Sequence, residues 1–311
     1  MNKSNITWTE TTWSPVIGCT KVSAGCKHCY AEREVKIRWD KNPKSIWYGR
    51  DFNDVLCRPE VLAGASSPLK WKKPRRIFVC PRADLFHEAV PVEFIDKVFA
   101  VMTLSPQHTF QVLTKRAERM SQYMNNPIRL ERIMAARAAM AVTGSDPAGF
   151  EGRPWSFPLQ NVWLGVSIEN QETADERIPL LRQTPAAVRW ISAEPLLGPV
   201  DLGRVPRGGT GMEGNVDWVV AGGESGQQAR PMHPAWPRAL RDQCDDAGVP
   251  FLFKQWGEFA EDNQHGLATG MDGPIKAYRF GDGVIVERIG NRYAGRLLDG
   301  VLHDAYPEVA R

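Results

Sequence analysis

The sequence predicts an α/β fold, a partial or complete parallel (β/α) barrel with a small C-terminal β-rich appendage, on three observations. Short apolar runs recur along the 311 residues, amphipathic stretches fall between them, and a polar or charged group follows nearly every run. Strands alternating with helices make a parallel sheet, and this many units favour a barrel.

The apolar runs are Ile77–Cys80, Phe110–Leu113, Val162–Val166, Val188–Ile191, Val216–Ala221 and Phe251–Phe253, with a seventh, short candidate near Trp13–Ile17. They are rich in Val, Ile, Phe and Trp and have the length of buried parallel strands. Between them, Pro91–Met102 sets Phe94, Ile95, Val98, Val101 and Met102 at helical spacing behind an N-terminal proline. Glu172–Arg182 offers Ile178 and Leu181 on one side and charge on the other. Pro234–Ala247 stops at Gly248, with Pro250 just beyond.

After the strands come Arg82-Ala83-Asp84, Thr114-Lys115-Arg116, Ser167-Ile168-Glu169, Ser192-Ala193-Glu194, Gly222-Gly223-Glu224 and Lys254-Gln255. In a parallel barrel these C-terminal ends share one rim, where active sites are built. Any one of these residues is equally at home as a solvated loop group. Two regions interrupt the rhythm. An insertion at 125–160 holds a helix at Ile128–Ala141 and a Gly/Pro-rich loop at Gly144–Pro158, and beyond Gly257 short glycine-punctuated segments begin. The expected division is a barrel over 1–257 and an appendage over 258–311.

Composition narrows the setting. Hydrophobic content of 42% and charged content of 24% are ordinary for a globular protein. No apolar run approaches the roughly 18 residues of a membrane helix, and the N-terminus lacks the apolar core of a signal peptide. A cytoplasmic protein with no membrane partner is expected. The net charge of +3 permits an anionic substrate without naming one.

Six cysteines are present, three of them in Gly18-Cys19-Thr20-Lys21-Val22-Ser23-Ala24-Gly25-Cys26-Lys27-His28-Cys29-Tyr30. In a reducing compartment such crowding points to a metal before a disulfide. The Cys26-x-x-Cys29 pair converges on one centre, and Cys19 reaches it across a glycine-flanked loop. Thiolates suit zinc, copper(I) and iron–sulfur centres. Structural zinc calls for a fourth ligand, from His28, Cys57, Cys80 or elsewhere, whereas a four-iron cluster on three cysteines leaves one iron open for chemistry. Cys57, Cys80 and Cys244 stand apart and read as packing.

This three-cysteine loop, lying after a first short strand and ahead of strand–helix units, resembles the radical S-adenosylmethionine superfamily. More narrowly, the cysteine loop with Asp84-Leu85-Phe86-His87, Leu113-Thr114-Lys115-Arg116, Ser192-Ala193-Glu194-Pro195-Leu196, Gly222-Gly223-Glu224-Ser225-Gly226, Lys254-Gln255-Trp256-Gly257 and Leu297-Leu298-Asp299-Gly300 is similar to a phage-associated family of largely unknown function. The wider resemblance implies a [4Fe-4S] cluster on Cys19, Cys26 and Cys29. Its open iron would take S-adenosylmethionine, an electron donor would reduce it, and cleavage would give methionine and a 5′-deoxyadenosyl radical. It implies an adenine contact for His28, the residue before the last cysteine. The phage association implies a nucleic-acid base or nucleotide as substrate.

Two features depart from the superfamily pattern. Six residues, not three, separate Cys19 from Cys26. The Gly222-Gly223-Glu224 element follows the sixth strand, where the superfamily's similar element follows the second.

On this reading Ser167, Glu169, Ser192, Glu194 and Glu224 suit ribose hydroxyls or the cofactor ammonium, and Gly222 and Gly223 a close backbone approach to the adenosine. As catalytic candidates, Lys115 and Lys254, with Arg116 and Arg230 beside them, suit an anionic group, and Asp84 and His87 a proton relay or substrate orientation. The same carboxylates also suit rim salt bridges. The run Lys70-Trp71-Lys72-Lys73-Pro74-Arg75-Arg76 could grip phosphates and stack a base. It supports a rival class, a non-catalytic zinc-stabilised nucleic-acid-binding module. Eleven tryptophans are assigned to the core or a pocket wall.

Overall fold

The computed structural model describes residue 4 and residues 6–140, 157–203, 215–261 and 276–308. Seven parallel strands make one curled sheet, wound in chain order: β1 (Thr11–Trp13), β2 (Arg76–Val79), β3 (Thr109–Thr114), β4 (Val162–Ile168), β5 (Val188–Ala193), β6 (Trp218–Gly222) and β7 (Phe251–Gln255). β1 and β7 are the two edges, so the barrel is a half-barrel. All six apolar runs read as strands are here. The seventh divides: Thr11–Trp13 pairs with β2, while Val16–Ile17 leaves the sheet to pair antiparallel with Leu56–Cys57. The correction follows from Ser14-Pro15, because proline supplies no ladder N–H and ends the strand.

The principal helices are α1 (Tyr30–Glu34, continued as a π-helical turn over Val35–Trp39), α2 (Val92–Thr103), α3 (Ala117–Asn125), α4 (Arg129–Met140), α5 (Gln171–Arg182) and α6 (Ala235–Ala247), and single helical turns also lie at Glu60–Ala63 and Asn291–Ala294. α6 ends on Gly248 at φ 66°, the left-handed stop its sequence announced. Within the insertion α4 is the expected helix; the Gly/Pro-rich loop lies, up to residue 156, outside the described residues.

The strands' two-residue period sorts the interior. Ile77, Val79, Phe110, Val112, Leu164, Val166, Ile191, Val219 and Phe253 join Phe94, Ile95, Val98 and Met102 of α2 in the main core. The opposite face carries Phe78, Trp163, Trp190, Trp218, Val220 and Leu252, which close around Trp8. Trp8 packs edge-on against Phe78 and Trp190 with centroids at 4.6 and 5.0 Å. Gly165 in mid-β4 makes room for the Trp190 ring, which a methyl group there would strike. The tryptophans thus plug the concave face.

The tail contains a three-stranded antiparallel sheet (Phe259–Ala260, Ile285–Arg288, Ala277–Arg279) and a hairpin (Leu297–Leu298, Val301–Leu302). It then returns to the open edge. Phe253 N–H donates to His303 O, Ala305 N–H to Phe251 O, and Trp218 Nε1 to Ala305 O at 2.9 Å. Tyr306 stacks on Trp218 and its hydroxyl donates to Thr7 O at 3.2 Å. The N- and C-terminal segments meet at the gap between the edge strands.

Trp8→Ala is expected to lower unfolding free energy by about 3–5 kcal/mol, the cost of a large aromatic removed from a packed core. Urea denaturation measures it, and a loss below ~1 kcal/mol would show that the N-terminal segment is not part of the plug.

Candidate functional site

Above the tryptophans, at the C-terminal ends of the strands, lies a cleft of about 530 Å³. Cys19, Cys26 and Cys29 line it together with Asp84, Lys115, Ser167, Ser192, Glu194, Gly223, Glu224 and Lys254. His28 stands at its mouth, its Nδ1 3.0 Å from Gln228 Oε1. Trp8, Phe78 and Leu113 give it an apolar floor. The sheet therefore gathers most residues singled out in the sequence into one space. Glu169, Gly222 and His87 are placed differently: they support the cleft from behind.

Glu169 is wholly buried. β4 ends one residue before it, and the capping box of α5 follows: Thr173 N–H donates to Asn170 Oδ1, and Thr173 Oγ1 accepts from Asn170 N–H and, at 2.8 Å, from Glu169 N–H. The carboxylate so fixed pairs with Lys115 Nζ and with Arg177 Nη1 at 3.3 Å, and accepts from Ser23 Oγ at 2.9 Å. Gly25 lies directly against it, where a Cβ would overlap the carboxylate. Glu169 thus docks the cysteine loop and leaves no free face for a ribose.

A second clamp comes from the ends of β2 and β3. Asp84 accepts from Phe86 N–H, Thr114 Oγ1, Lys115 N–H and Arg116 Nη1, at 2.7–3.3 Å. Held by Asp84 and by Glu88, Arg116 donates to Thr20 Oγ1 at 2.9 Å and points Nη1 at Cys19 Sγ, 3.6 Å away. His87 Nδ1 accepts from Ala89 N–H, so the neutral ring carries its proton on Nε2 and donates it to Thr20 Oγ1 at 2.8 Å. Burial, then Arg116, hold His87 below the usual histidine range. Asp84 and His87 therefore face the cysteine loop.

A third clamp follows β6. Glu224 accepts from Arg230 Nη2 and Nε at 2.7 and 2.8 Å, and Arg230 Nη1 donates to Ala24 O at 3.0 Å. Gly223 is glycine because Trp256 O occupies the place of a Cβ; at Gly222 a Cβ would sit 2.7 Å from Glu194 Oε1. The missing side chain at 222 lets Glu194 cross to Lys254 Nζ, 2.9 Å away, and accept from Ser192 Oγ at 3.2 Å. Both glycines serve the protein's own close packing.

Ser23, Thr20, Arg177 and Gln228 carry no signature in the sequence that marks their roles here. Asn170-x-x-Thr173 was the one local signal, a helix start placed to fix Glu169.

The donor set suits an iron–sulfur cluster. Burial pushes the Cys19 thiol up to about 12, Asp84 adds to the rise, and Arg116 opposes it; burial also raises Cys29. Buried thiols of this kind become thiolates when metal supplies the compensating charge. The Arg116 guanidinium is a ready donor for sulfur at Cys19. Among the described residues, no three His, Cys, Asp or Glu side chains gather around a point that could hold a single ion. A cluster asks for something different, since each cysteine binds its own iron.

Gly25→Ala is expected to push the loop off Glu169, so that Cys26 and Cys29 label faster with a thiol reagent than in the wild type. Unchanged labelling would mean the loop is not seated on Glu169.

No curated protein and no solved structure matches the chain. A family model described as a protein of unknown function (DUF5131) matches residues 3–307, nearly the whole length, and the chain belongs to that family.

Proposed function

We propose that the protein is a radical S-adenosylmethionine enzyme, with a [4Fe-4S] cluster held by Cys19, Cys26 and Cys29. The observation that supports this reading is that those three thiols and the polar ends of the barrel strands line one cleft of about 530 Å³. That volume is within the roughly 300–1,000 Å³ of small-molecule sites. When bound, the cluster and cofactor supply reductive cleavage of the sulfonium to methionine and a 5′-deoxyadenosyl radical, with electrons from an external donor.

The chain's own residues bind, orient and exclude water. Arg116 offsets charge at Cys19. His28, which lines the cleft beside Gln228, would contact the adenine. Ser167, Ser192 and Glu194 offer acceptors for the ribose hydroxyls and the ammonium, and Lys254 and Lys115 offer ammonium groups for a carboxylate. The aromatic plug beneath closes the barrel to water from the opposite end, which protects a reactive carbon radical.

Anaerobic reconstitution is expected to give a brown protein with about four irons per chain, as a [4Fe-4S] centre requires. Reduction in the presence of S-adenosylmethionine should release 5′-deoxyadenosine. A colourless, folded protein with stoichiometric zinc would replace this reading by the zinc-stabilised module; colour without deoxyadenosine would leave only electron transfer.

Individual cysteines should separate cleanly. Cys26→Ala should abolish cluster assembly, while Cys244→Ala, at a position on the buried face of α6 away from the cleft, should keep its iron. Equal iron loss from both would overturn the ligand assignment.

A further inference from the structure

The charge of this molecule is unevenly spread. Residues 21–50 hold eight Lys/Arg against three Asp/Glu, a net +5, whereas the whole chain carries +3. That segment includes most of the cysteine loop, α1 and the turn that follows. Two of its three acidic residues are half-buried and engaged: Glu32 pairs with Lys21 and Lys36, and Glu34 with Arg82 and Arg38. Lys27, Lys41, Lys44 and Arg50 are exposed, and among the described residues no carboxylate lies within ion-pair distance of them.

Exposed apolar side chains lie among these cations. Of fourteen large hydrophobic residues exposed among the described ones, five fall between residues 22 and 48: Val22, Tyr30, Ile37, Ile46 and Tyr48. Ile37 is 71% exposed and Tyr48 55%. The segment is not loose. Trp47 is buried against Ala31 and Val35 and stacks on Phe52 at 5.7 Å, which turns its neighbours Ile46 and Tyr48 outward. Val22, His28, Tyr30 and Arg33 also line the cleft, so the surface runs directly into its mouth.

We propose that this surface docks single-stranded nucleic acid and delivers a base into the cysteine-lined cleft. Unpaired cations interleaved with exposed aromatic rings match a phosphodiester backbone whose bases are free to stack. A base stacked and paired in a duplex would have to leave the stack to reach into the cleft, which favours the single strand over the double. The basic run at Lys70–Arg76, the other candidate, does not fit. It precedes β2, at the end of the barrel opposite the cleft, and Trp71 is buried edge-on against His108, so no ring is free there.

As an account of substrate, this rests on the radical chemistry proposed above; as an account of binding it does not, and cluster-free protein suffices to test it. The probe is a fluorescein-labelled single-stranded oligonucleotide of mixed sequence, DNA or RNA, titrated by anisotropy from about 50 to 200 mM salt. The triple variant Lys41→Glu, Lys44→Glu, Arg50→Glu should bind about tenfold or more weakly, with a salt slope flatter by about 2, at roughly 0.7 for each phosphate that is no longer neutralised. Tyr48→Ala should weaken binding about fivefold or more through the missing stacking partner, with little change in slope. Lys70→Glu, Lys72→Glu, Lys73→Glu should bind as the wild type does. Equal loss in both triple variants, tighter binding to duplex than to single strand, or binding to anionic lipid vesicles with none to the oligonucleotide would each overturn the proposal. Absence of iron or deoxyadenosine with binding intact would instead remove the radical chemistry and leave the docking surface standing.

Discussion

A buried carboxylate must be saturated, and the saturation of Glu169 organises the site. Two of its partners, Lys115 and Arg177, belong to the barrel; the third, Ser23, belongs to the cysteine loop, 146 residues away in sequence. Removing one partner from a buried ion pair costs about 3–5 kcal/mol, because the remaining charge is stranded. The loop completes that shell and fits against it through Gly25. Arg116 and Arg230 repeat the principle on either side, each tied to a carboxylate of the barrel and each reaching a loop atom. The cysteines are presented to the cleft by charge-assisted hydrogen bonds from the ends of β3, β4 and β6. Behind the loop, a small core of Ile17, Ala31, Val35, Trp47 and Phe52 supplies the apolar packing.

The interior of the half-barrel is divided along its axis. Tryptophans fill the lower part, and from one strand to the next the same concave face passes to Ser167, Ser192, Glu194 and Lys254 at the top. A two-residue period makes this possible: the convex face stays mainly apolar for the helices, Arg189 and Thr114 apart, while the concave face passes from aromatic to polar side chains toward the top. The terminal segments seal the side of the plug where β1 and β7 do not meet. The result is a cleft with an apolar floor and a charged, cysteine-lined upper part.

How much of this the sequence disclosed depends on the range of the forces involved. The six principal strands were legible because burial on both faces leaves a local apolar run, and α2, α5 and α6 because amphipathicity is local too. That the three cysteines share one loop was legible because eleven residues hold them all. The roles of Asp84, His87 and Glu169 were not: each has the chemistry of a reactive group, and only partners far along the chain show that it holds the loop. Gly222 and Gly223 likewise signalled close approach correctly, but what approaches is Glu194 and Trp256 O. The abundance of tryptophan pointed to a core without saying that it would be the barrel's interior. α3 went unread because Glu118, Arg119, Ser121 and Gln122 mask a buried stripe of Ala117, Met120, Tyr123 and Met124.

The central claim is that the clamped loop presents three thiols to a single inorganic centre open to the cleft. Diffraction at the iron absorption edge, on crystals of anaerobically reconstituted protein, tests it most directly. Expected is one anomalous iron peak among Cys19, Cys26 and Cys29 with no fourth amino-acid ligand. A peak elsewhere, or a centre closed by a fourth side chain, would contradict it.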